Sequence, residues 1–299
     1  MNEAVEILSD LRRGDSEQKL RAIKQAGRFA FDRSYFPEAI PLLIELLEQE
    51  ASPKIAAEAA WALWKFKDQR AIPVLLKKAK ESCHPSVREK SIRSLGLLEA
   101  AEALPFIKEM ALSSKTELVL KISAIQALGH FKEPQVVSIL EKLLKSTEVS
   151  IRLEALCAIQ RFLRRDPTLL TQASLKIIRN YACWKKEKSE RVRVEALIAF
   201  SYAFDSKKRG VIERAALKDP GALVRKTAIT LLSQWRDGYT EKMWLNALED
   251  LSWAVRFEAG SMLMQIPQEK VFDAEKVRLA LRKISKIFPS HIRSRPALK

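Results

Sequence analysis

Basic side chains are concentrated in one region of the sequence, where they could bind a polyanion. Seven are candidates for binding: Arg161, Arg164, Arg165, Lys185, Lys186, Lys188 and Lys226. The first six form the sharpest cluster together with Arg191, and Lys226 extends the basic region into the next hairpins. A nucleic-acid backbone requires several cations within reach of successive phosphates, and each neutralised phosphate steepens the dependence of binding on salt. The sequence therefore predicts a partner- or anion-binding surface here, and a solvated charged loop is the alternative interpretation.

Carboxylates recur at one position and could transfer protons if they were paired between neighbouring helices. These residues are Glu58, Glu154, Glu195 and Glu258. Neutralisation of nearby Arg and Lys is the simpler interpretation. The three His and three Cys form neither an HExxH nor a CxxC motif, and no two glycines lie closer than 11 residues, which excludes glycine-rich phosphate loops. We predict no catalytic residue, cofactor or metal, and favour a protein that is not an enzyme.

Composition indicates helices and a cytoplasmic protein. The 299 residues include only 8 Gly and 12 Pro, too few for the turns of a β-rich chain. We expect no signal peptide in the charged N-terminal segment, no membrane span and no membrane among the partners, and three buried, reduced cysteines. The net charge of +16 divides unevenly, because residues 1–150 carry +2 and residues 151–299 carry +14. The excess suits a polyanionic partner but does not determine the fold.

A repeat organises the chain. Its best copies read SVREKSIRSLG (86–96) and VLKISAIQALG (119–129), and eight copies align on one mostly basic position. That position, the ladder, is occupied by Lys19, Ala56, Arg88, Lys121, Arg152, Arg193, Arg225 and Arg256, at intervals of 31 to 41 residues. A small residue stands three positions later in each copy: Ala22, Ala59, Ser91, Ala124, Ala155, Ala196, Ala228 and Ala259. A fixed period of this length indicates stacked supersecondary units.

Each copy has helical periodicity and is preceded by another amphipathic helix, as at 71–80, 103–112 and 135–145. The copy is thus the second helix of its unit. Every unit is therefore predicted to be a helical hairpin that buries its apolar faces only by stacking on its neighbours. Core packing is the expected role of most of the six tryptophans. The interval of 41 residues is attributed to an insertion at 164–191, with a longer first helix and a charged loop.

The V-R-x-x-A-x-x-A-L-G core of these copies resembles HEAT repeats, in particular the short variety of about 31 residues in the phycobilisome-lyase-like group. The resemblance covers roughly residues 17–266. It implies an all-α, right-handed α-solenoid of about eight hairpins, whose second helices line a concave face. It also implies a structural role for the ladder arginine, which braces the preceding turn and the next repeat. Acidic residues suited to this role stand upstream of the ladder positions, at Asp219 and Asp250, with Glu148 and Glu190 as weaker counterparts.

The predicted organisation is a single solenoid over 1–299, with a near-neutral half (1–150) and a basic half (151–288). A closing helix at 274–288 and a flexible basic tail at 289–299 end the chain. The residues that follow the late-glycine position should face the groove: Arg28, Lys65, Leu97, His130, Arg161, Tyr202, Gln234 and Gln265. This column is polar without being uniformly basic.

Three functions fit the sequence. The first is a non-enzymatic scaffold or adaptor that binds a macromolecular partner, a protein, on its concave face. The second is nucleic-acid binding by the basic half, and a HEAT-like alkylpurine DNA glycosylase is a special case of it. The sequence offers no feature that would identify a small-molecule substrate, and the His-Glu dipeptides that deoxyhypusine hydroxylase uses for iron do not occur.

Overall fold

Helices form the regular structure throughout the part of the chain that the computed structural model describes, which is residues 2–31, 36–49, 52–168, 170–203, 207–235 and 237–265. The odd-numbered helices are α1 (Asn2–Arg13), α3 (Ala39–Gln49), α5 (Ala71–Glu81), α7 (Leu104–Leu112), α9 (Gln135–Leu144), α11 (Gln172–Tyr181), α13 (Lys208–Lys218) and α15 (Gly238–Ala247). The even-numbered helices are α2 (Ser16–Phe31), α4 (Pro53–Leu63), α6 (Pro85–Leu97), α8 (Leu118–Leu128), α10 (Val149–Arg165), α12 (Glu190–Tyr202), α14 (Ala222–Leu231) and α16 (Trp253–Met264).

The chain divides into two compact units, unit 1 (Met1–Phe162) and unit 2 (Leu163–Lys299). Helices α1, α3, α5 and α7 in unit 1 and α11, α13 and α15 in unit 2 each pack against the even-numbered helix that follows. The even-numbered helices also pack against one another in chain order, α2 to α8 in unit 1 and α12 to α16 in unit 2. The even-numbered helices therefore form one layer of each stack, and the odd-numbered helices form the other. The predicted all-α solenoid architecture is confirmed in this sense. One solenoid over 1–299 stays a prediction.

The small residue of each repeat explains the close packing of the even-numbered layer. All eight of these residues have no exposed surface, and each ladder position lies on an even-numbered helix. At Gly96, a Cβ atom would lie 2.5 Å from the Cα of Ala127 on the next even-numbered helix. Nearby, the hydroxyl of Ser94 on α6 donates a hydrogen bond of 2.7 Å to the carbonyl of Ala60 on α4. Backbones thus approach closely where side chains are small.

Local sequence signals fix where the helices begin. The side chains of Thr171, Ser189 and Asp237 accept hydrogen bonds from the first-turn amides of α11, α12 and α15. Pro53 and Pro85 occupy the first position of α4 and α6, where the missing N–H costs nothing. The predicted hairpin pattern therefore has a local as well as a tertiary basis.

Three expectations are wrong. Helix α11 has 10 residues, so the interval of 41 does not come from a longer first helix; α10, at 17 residues, and the adjoining connections supply the extra length. None of the three cysteines is buried: Cys83 is exposed in the turn before α6, and Cys157 and Cys183 are partly exposed. Of the six tryptophans, Trp244 alone is fully buried, whereas Trp184 and Trp253 are exposed. The predicted closing helix at 274–288 and the tail at 289–299 lie outside the described residues.

Lys67 ends the helical segment after α4 in a left-handed conformation, with φ 53° and ψ 30°. Because a side chain disfavours this conformation and glycine does not, Lys67→Gly should raise the free energy of unfolding by about 0.5–1 kcal/mol. The measurement is the urea midpoint of the purified chain. Lys77→Gly is the matched control, since this exposed residue lies inside α5 and the change should cost about 1 kcal/mol there. A loss of stability in both variants would contradict the argument.

Candidate binding surfaces

The ladder arginines of unit 2 link consecutive hairpins through paired carboxylates. Arg193 on α12 binds Asp219 through two hydrogen bonds of 2.9 Å, and both side chains are at least 95% buried. Arg225 on α14 binds Asp250 through two hydrogen bonds of 2.8 Å in a partly buried site. Hydrogen bonding to Arg225 holds the pKa of Asp250 below its usual range. Each carboxylate belongs to the turn of the following hairpin.

The same arginines also bind the turn that precedes their own helix. Arg193 Nη1 donates to the carbonyls of Glu187 and Lys188 at 3.2 and 2.8 Å. Equivalent pairs join Arg225 to the carbonyls of Asp219 and Pro220, and Arg256 to those of Asp250 and Leu251. Asp219 and Asp250 therefore each contact two successive arginines, one through the carboxylate and one through the backbone carbonyl.

In unit 1 the ladder arginines contact backbone carbonyls. Arg152 Nη1 donates to the carbonyls of Ser146 and Thr147 at 2.9 and 2.7 Å, and Arg88 Nε donates to the carbonyl of Ala79 at 3.2 Å. Ala56 stands at the equivalent position of α4 and has no group that could donate such a bond. The contact with the preceding turn is therefore present in both units.

The seven basic residues singled out from the sequence fall into three groups: Arg161, Arg164 and Arg165 at the end of α10, Lys185, Lys186 and Lys188 before α12, and Lys226 on α14. Lys185, Lys186 and Lys188 are exposed in the turn before α12. Arg164 instead contacts Tyr202 at the other end of α12, with Nε 3.1 Å from the hydroxyl and the guanidinium 5.2 Å from the ring centre. Because α12 has 13 residues, its ends are about 18 Å apart.

The other basic residues of that set have their own surroundings. Arg161 and Arg165 lie one turn apart on α10; Arg165 is exposed, and Arg161 Nη1 donates a hydrogen bond of 3.4 Å to the carbonyl of Gln126. Lys226 lies 3.8 Å from the carboxylate of Glu258 on α16, which also accepts a hydrogen bond of 2.8 Å from Thr230. One of the four recurring carboxylates, Glu258, thus neutralises a lysine, as the simpler interpretation predicts.

Cations and aromatic rings also meet where α13 begins. Lys208 lies over the ring of Trp235 at 5.9 Å and donates to the carbonyl of Ser201. Arg209 contacts the rings of Trp235 and Tyr239 and binds the carboxylates of Asp237 and Glu213. These hydrogen bonds hold the pKa of Asp237 well below its usual range. Because its charge is compensated twice, Arg209 adds little to an anion-binding surface.

A cation–aromatic cluster on unit 1 was not anticipated from the sequence. Trp61 on α4 is partly exposed, and Lys90 and Arg93 on α6 each place their charged group 4.9 Å from its ring centre. Trp64 packs edge-on against Trp61 at 5.8 Å, and Glu89 lies 3.4 Å from Arg93. The available signal was the repeat register, since Trp61 and Arg93 stand at the same position of adjacent copies. We call Trp61, Lys90 and Arg93 the Trp61 cluster.

None of the residues in the predicted groove column is buried. Two of them lie against the late glycine of the preceding repeat: Lys65 beside Gly27, and Arg161 beside Gly129. A Cβ atom at Gly129 would approach Arg161 Nη1 to 2.7 Å. The late glycine therefore leaves space for the long side chain of the next even-numbered helix.

Among the described residues, no three His, Cys, Asp or Glu side chains are grouped so that they could hold a metal ion. No helix in that part of the chain combines the length and the apolar character that crossing a bilayer requires.

Comparison with known proteins identifies the repeat. The family model of HEAT repeats matches residues 2–84, 40–123 and 72–160, so the matches together cover more than half of the chain. No curated protein sequence matches.

Comparison with solved structures also finds similar chains. A chain of the complex of CpcE and CpcF of phycocyanin lyase from Nostoc sp. PCC7120 is 23% identical, with a TM-score of 0.44 over 54% of this chain and 97% of its own. Human deoxyhypusine hydroxylase is 16% identical, with a TM-score of 0.38 over 88% and 95%. An engineered protein is 19% identical, with a TM-score of 0.45 over 98% and 86%.

Proposed function

The chain belongs to the HEAT-repeat family, and from this premise we propose that it is a non-enzymatic scaffold that binds a protein partner on the exposed face of its even-numbered helices. Stacked repeats present an extended surface whose shape is already set by the packing of each hairpin on the next. Little ordering is then needed on binding, which lowers its entropic cost. Three cysteines without a disulfide favour a cytoplasmic location.

The Trp61 cluster is the observation that supports a protein partner most directly. Tryptophan and arginine are enriched among the residues that contribute most to protein–protein affinity. The ring of Trp61 is held by contacts with Lys90, Arg93 and Trp64, so it loses little freedom when a partner covers it. Small residues at the repeat position bring α4 and α6 together and thereby place these side chains side by side.

Nucleic-acid binding by the second half receives less support. A phosphate track requires cations along one continuous path. Lys185, Lys186 and Lys188 instead lie at the opposite end of α12 from the contact between Arg164 and Tyr202. The charges of Arg209 and Lys226 are engaged by neighbouring carboxylates.

Trp61→Ala should weaken binding of the protein partner about 30-fold, because the change removes a partly exposed ring from the centre of the proposed contact. The partner is first captured with the wild-type chain from its native extract and identified by mass spectrometry. The purified partner is then titrated calorimetrically against wild type, Trp61→Ala and Arg93→Glu. Arg93→Glu reverses a half-exposed charge without removing the ring and should also weaken binding.

Phe106→Ala is the matched control, because Phe106 on α7 also carries a cation, Lys80 at 5.6 Å, but belongs to the odd-numbered layer. It should change the affinity less than twofold. Equal losses for Trp61→Ala and Phe106→Ala, or none for Trp61→Ala, would contradict the proposed face. Binding of a fluorescent DNA duplex at about 50 mM salt, lost in Arg164→Glu, would favour the nucleic-acid alternative instead.

A further inference from the structure

We propose that unit 2 also makes a peripheral contact with the surface of an anionic lipid bilayer, through the edge formed by its three intra-hairpin turns. This turn edge comprises residues 182–189, 219–221 and 248–252 together with the helix ends that adjoin them. The proposal goes beyond the scaffold function and involves different residues from the Trp61 cluster.

The ladder holds the three turns in one row. Arg193 donates hydrogen bonds to two backbone carbonyls of the turn before α12. It also binds the carboxylate of Asp219, in the turn before α14. Arg225 repeats this pattern between the turn before α14 and Asp250 of the turn before α16. Packed helices lie about 8–10 Å apart, so the row extends over about 20 Å. The edge is thus a preformed surface rather than three independent loops.

Large apolar side chains project from each of the three turns or from the helix ends beside them. Leu251 is 97% exposed at the third turn, and Trp184 is 43% exposed at the first. Leu217 and Leu223 flank the second turn at 55% and 47% exposure, and Trp253 begins α16 at 60%. Grouped apolar residues on a surface indicate an interaction site. Tryptophan and leucine together are typical of residues that enter the boundary between lipid headgroups and acyl chains.

The charge of the edge complements an anionic surface. Its exposed cations are Lys185, Lys186, Lys188, Arg191 and Lys218. Most of the carboxylates nearby are engaged within the protein: Asp219 and Asp250 bind arginines, Glu187 accepts from the amide of Ser189, and Glu190 accepts from the amide of Leu223. Glu249 is an exposed carboxylate on the third turn. The lysines therefore outnumber the carboxylates that face outward.

The shape of the edge favours lipid over a folded protein. The apolar residues lie at turns and helix ends, and Leu251, the most exposed of them, projects from a turn. A folded partner would need a matching pocket for each projecting side chain, whereas a lipid interface adapts to such projections. Lysines beside the apolar residues would then lie at the level of the headgroups.

The test is cosedimentation of the full chain with vesicles of phosphatidylcholine that contain phosphatidylserine, and with vesicles of phosphatidylcholine alone. We expect binding to the anionic vesicles that weakens as salt is raised. Lys185→Glu/Lys186→Glu should lower the partition coefficient by about fivefold or more for each lysine. Leu251→Ser should lower it about tenfold, and its near-complete exposure means that the fold is not disturbed.

Matched controls lie away from the edge. Val5→Ser changes an apolar residue of α1 that is 67% exposed. Lys77→Glu/Lys176→Glu reverses two exposed lysines, on α5 and α11, and so changes the net charge by as much as Lys185→Glu/Lys186→Glu does. At equal salt, each control variant should bind vesicles within twofold of the wild type. Trp61→Ala should also bind normally, which separates this proposal from the scaffold function.

The proposal is overturned by any of three results: no sedimentation with anionic vesicles, equal binding to phosphatidylcholine alone, or edge variants that bind as the wild type does. Loss of a protein partner in Leu251→Ser, without vesicle binding by the wild type, would assign the edge to a protein instead.

Discussion

Replacement of Asp219 by alanine should lower the free energy of unfolding by about 3–5 kcal/mol, because it leaves the guanidinium of Arg193 buried without its counter-ion. Arg193 is 4% exposed and has two of its hydrogen bonds to that carboxylate. Asp219 also accepts a hydrogen bond of 2.8 Å from the amide of Gly221, which is lost as well. The measurement is the urea midpoint followed by circular dichroism.

Two further variants test the cause of this loss. Glu17→Ala removes an exposed partner of Arg21, and should change the free energy of unfolding by less than about 0.5 kcal/mol. The double variant Arg193→Met/Asp219→Leu removes both buried charges and should recover much of the stability lost in Asp219→Ala. If the double variant were as unstable as the single one, the buried charge would not be the cause.

The ladder shows how much of the fold was predictable. The repeat placed Arg193 and Arg225 in register, because a fixed period in sequence becomes a fixed offset in space. The resemblance to HEAT repeats implied acidic partners upstream of the ladder, at Asp219 and Asp250, but their carboxylates bind the ladder arginine of the preceding repeat. The eight small residues were predicted to permit close helix approach and have no exposed surface. Positions whose role depends only on their own repeat and the next are therefore accessible from sequence.

The surfaces were less predictable. The basic group around residues 161–188 is dense in sequence, yet α12 separates Arg164 from Lys188 by its full length. Charge density along the chain does not encode on which end of a helix a residue lies. The exposure of Trp184 and Trp253 was missed for a similar reason, because an aromatic ring at a turn has the same apolar character as one in the core.

Gly96→Ala should lower the free energy of unfolding by about 1–3 kcal/mol, although alanine is the better helix former. The new methyl group would lie 2.5 Å from the Cα, 2.6 Å from the Cβ and 2.9 Å from the carbonyl oxygen of Ala127. All three atoms belong to Ala127 on α8: two are backbone atoms and the third is its Cβ. None of them can move aside unless α8 shifts away from α6. The loss should appear as a lower urea midpoint for unit 1.

Gly210→Ala is the control that separates packing from helix propensity. Gly210 lies in α13 with no atom within 4 Å of the site of a Cβ, and should gain up to about 1 kcal/mol on substitution. Because both changes add the same methyl group to a helix, opposite signs would show that close approach, rather than backbone freedom, requires glycine at residue 96. A gain in both variants would mean that α6 and α8 can separate at little cost, and the late glycine of the repeat would then need another explanation.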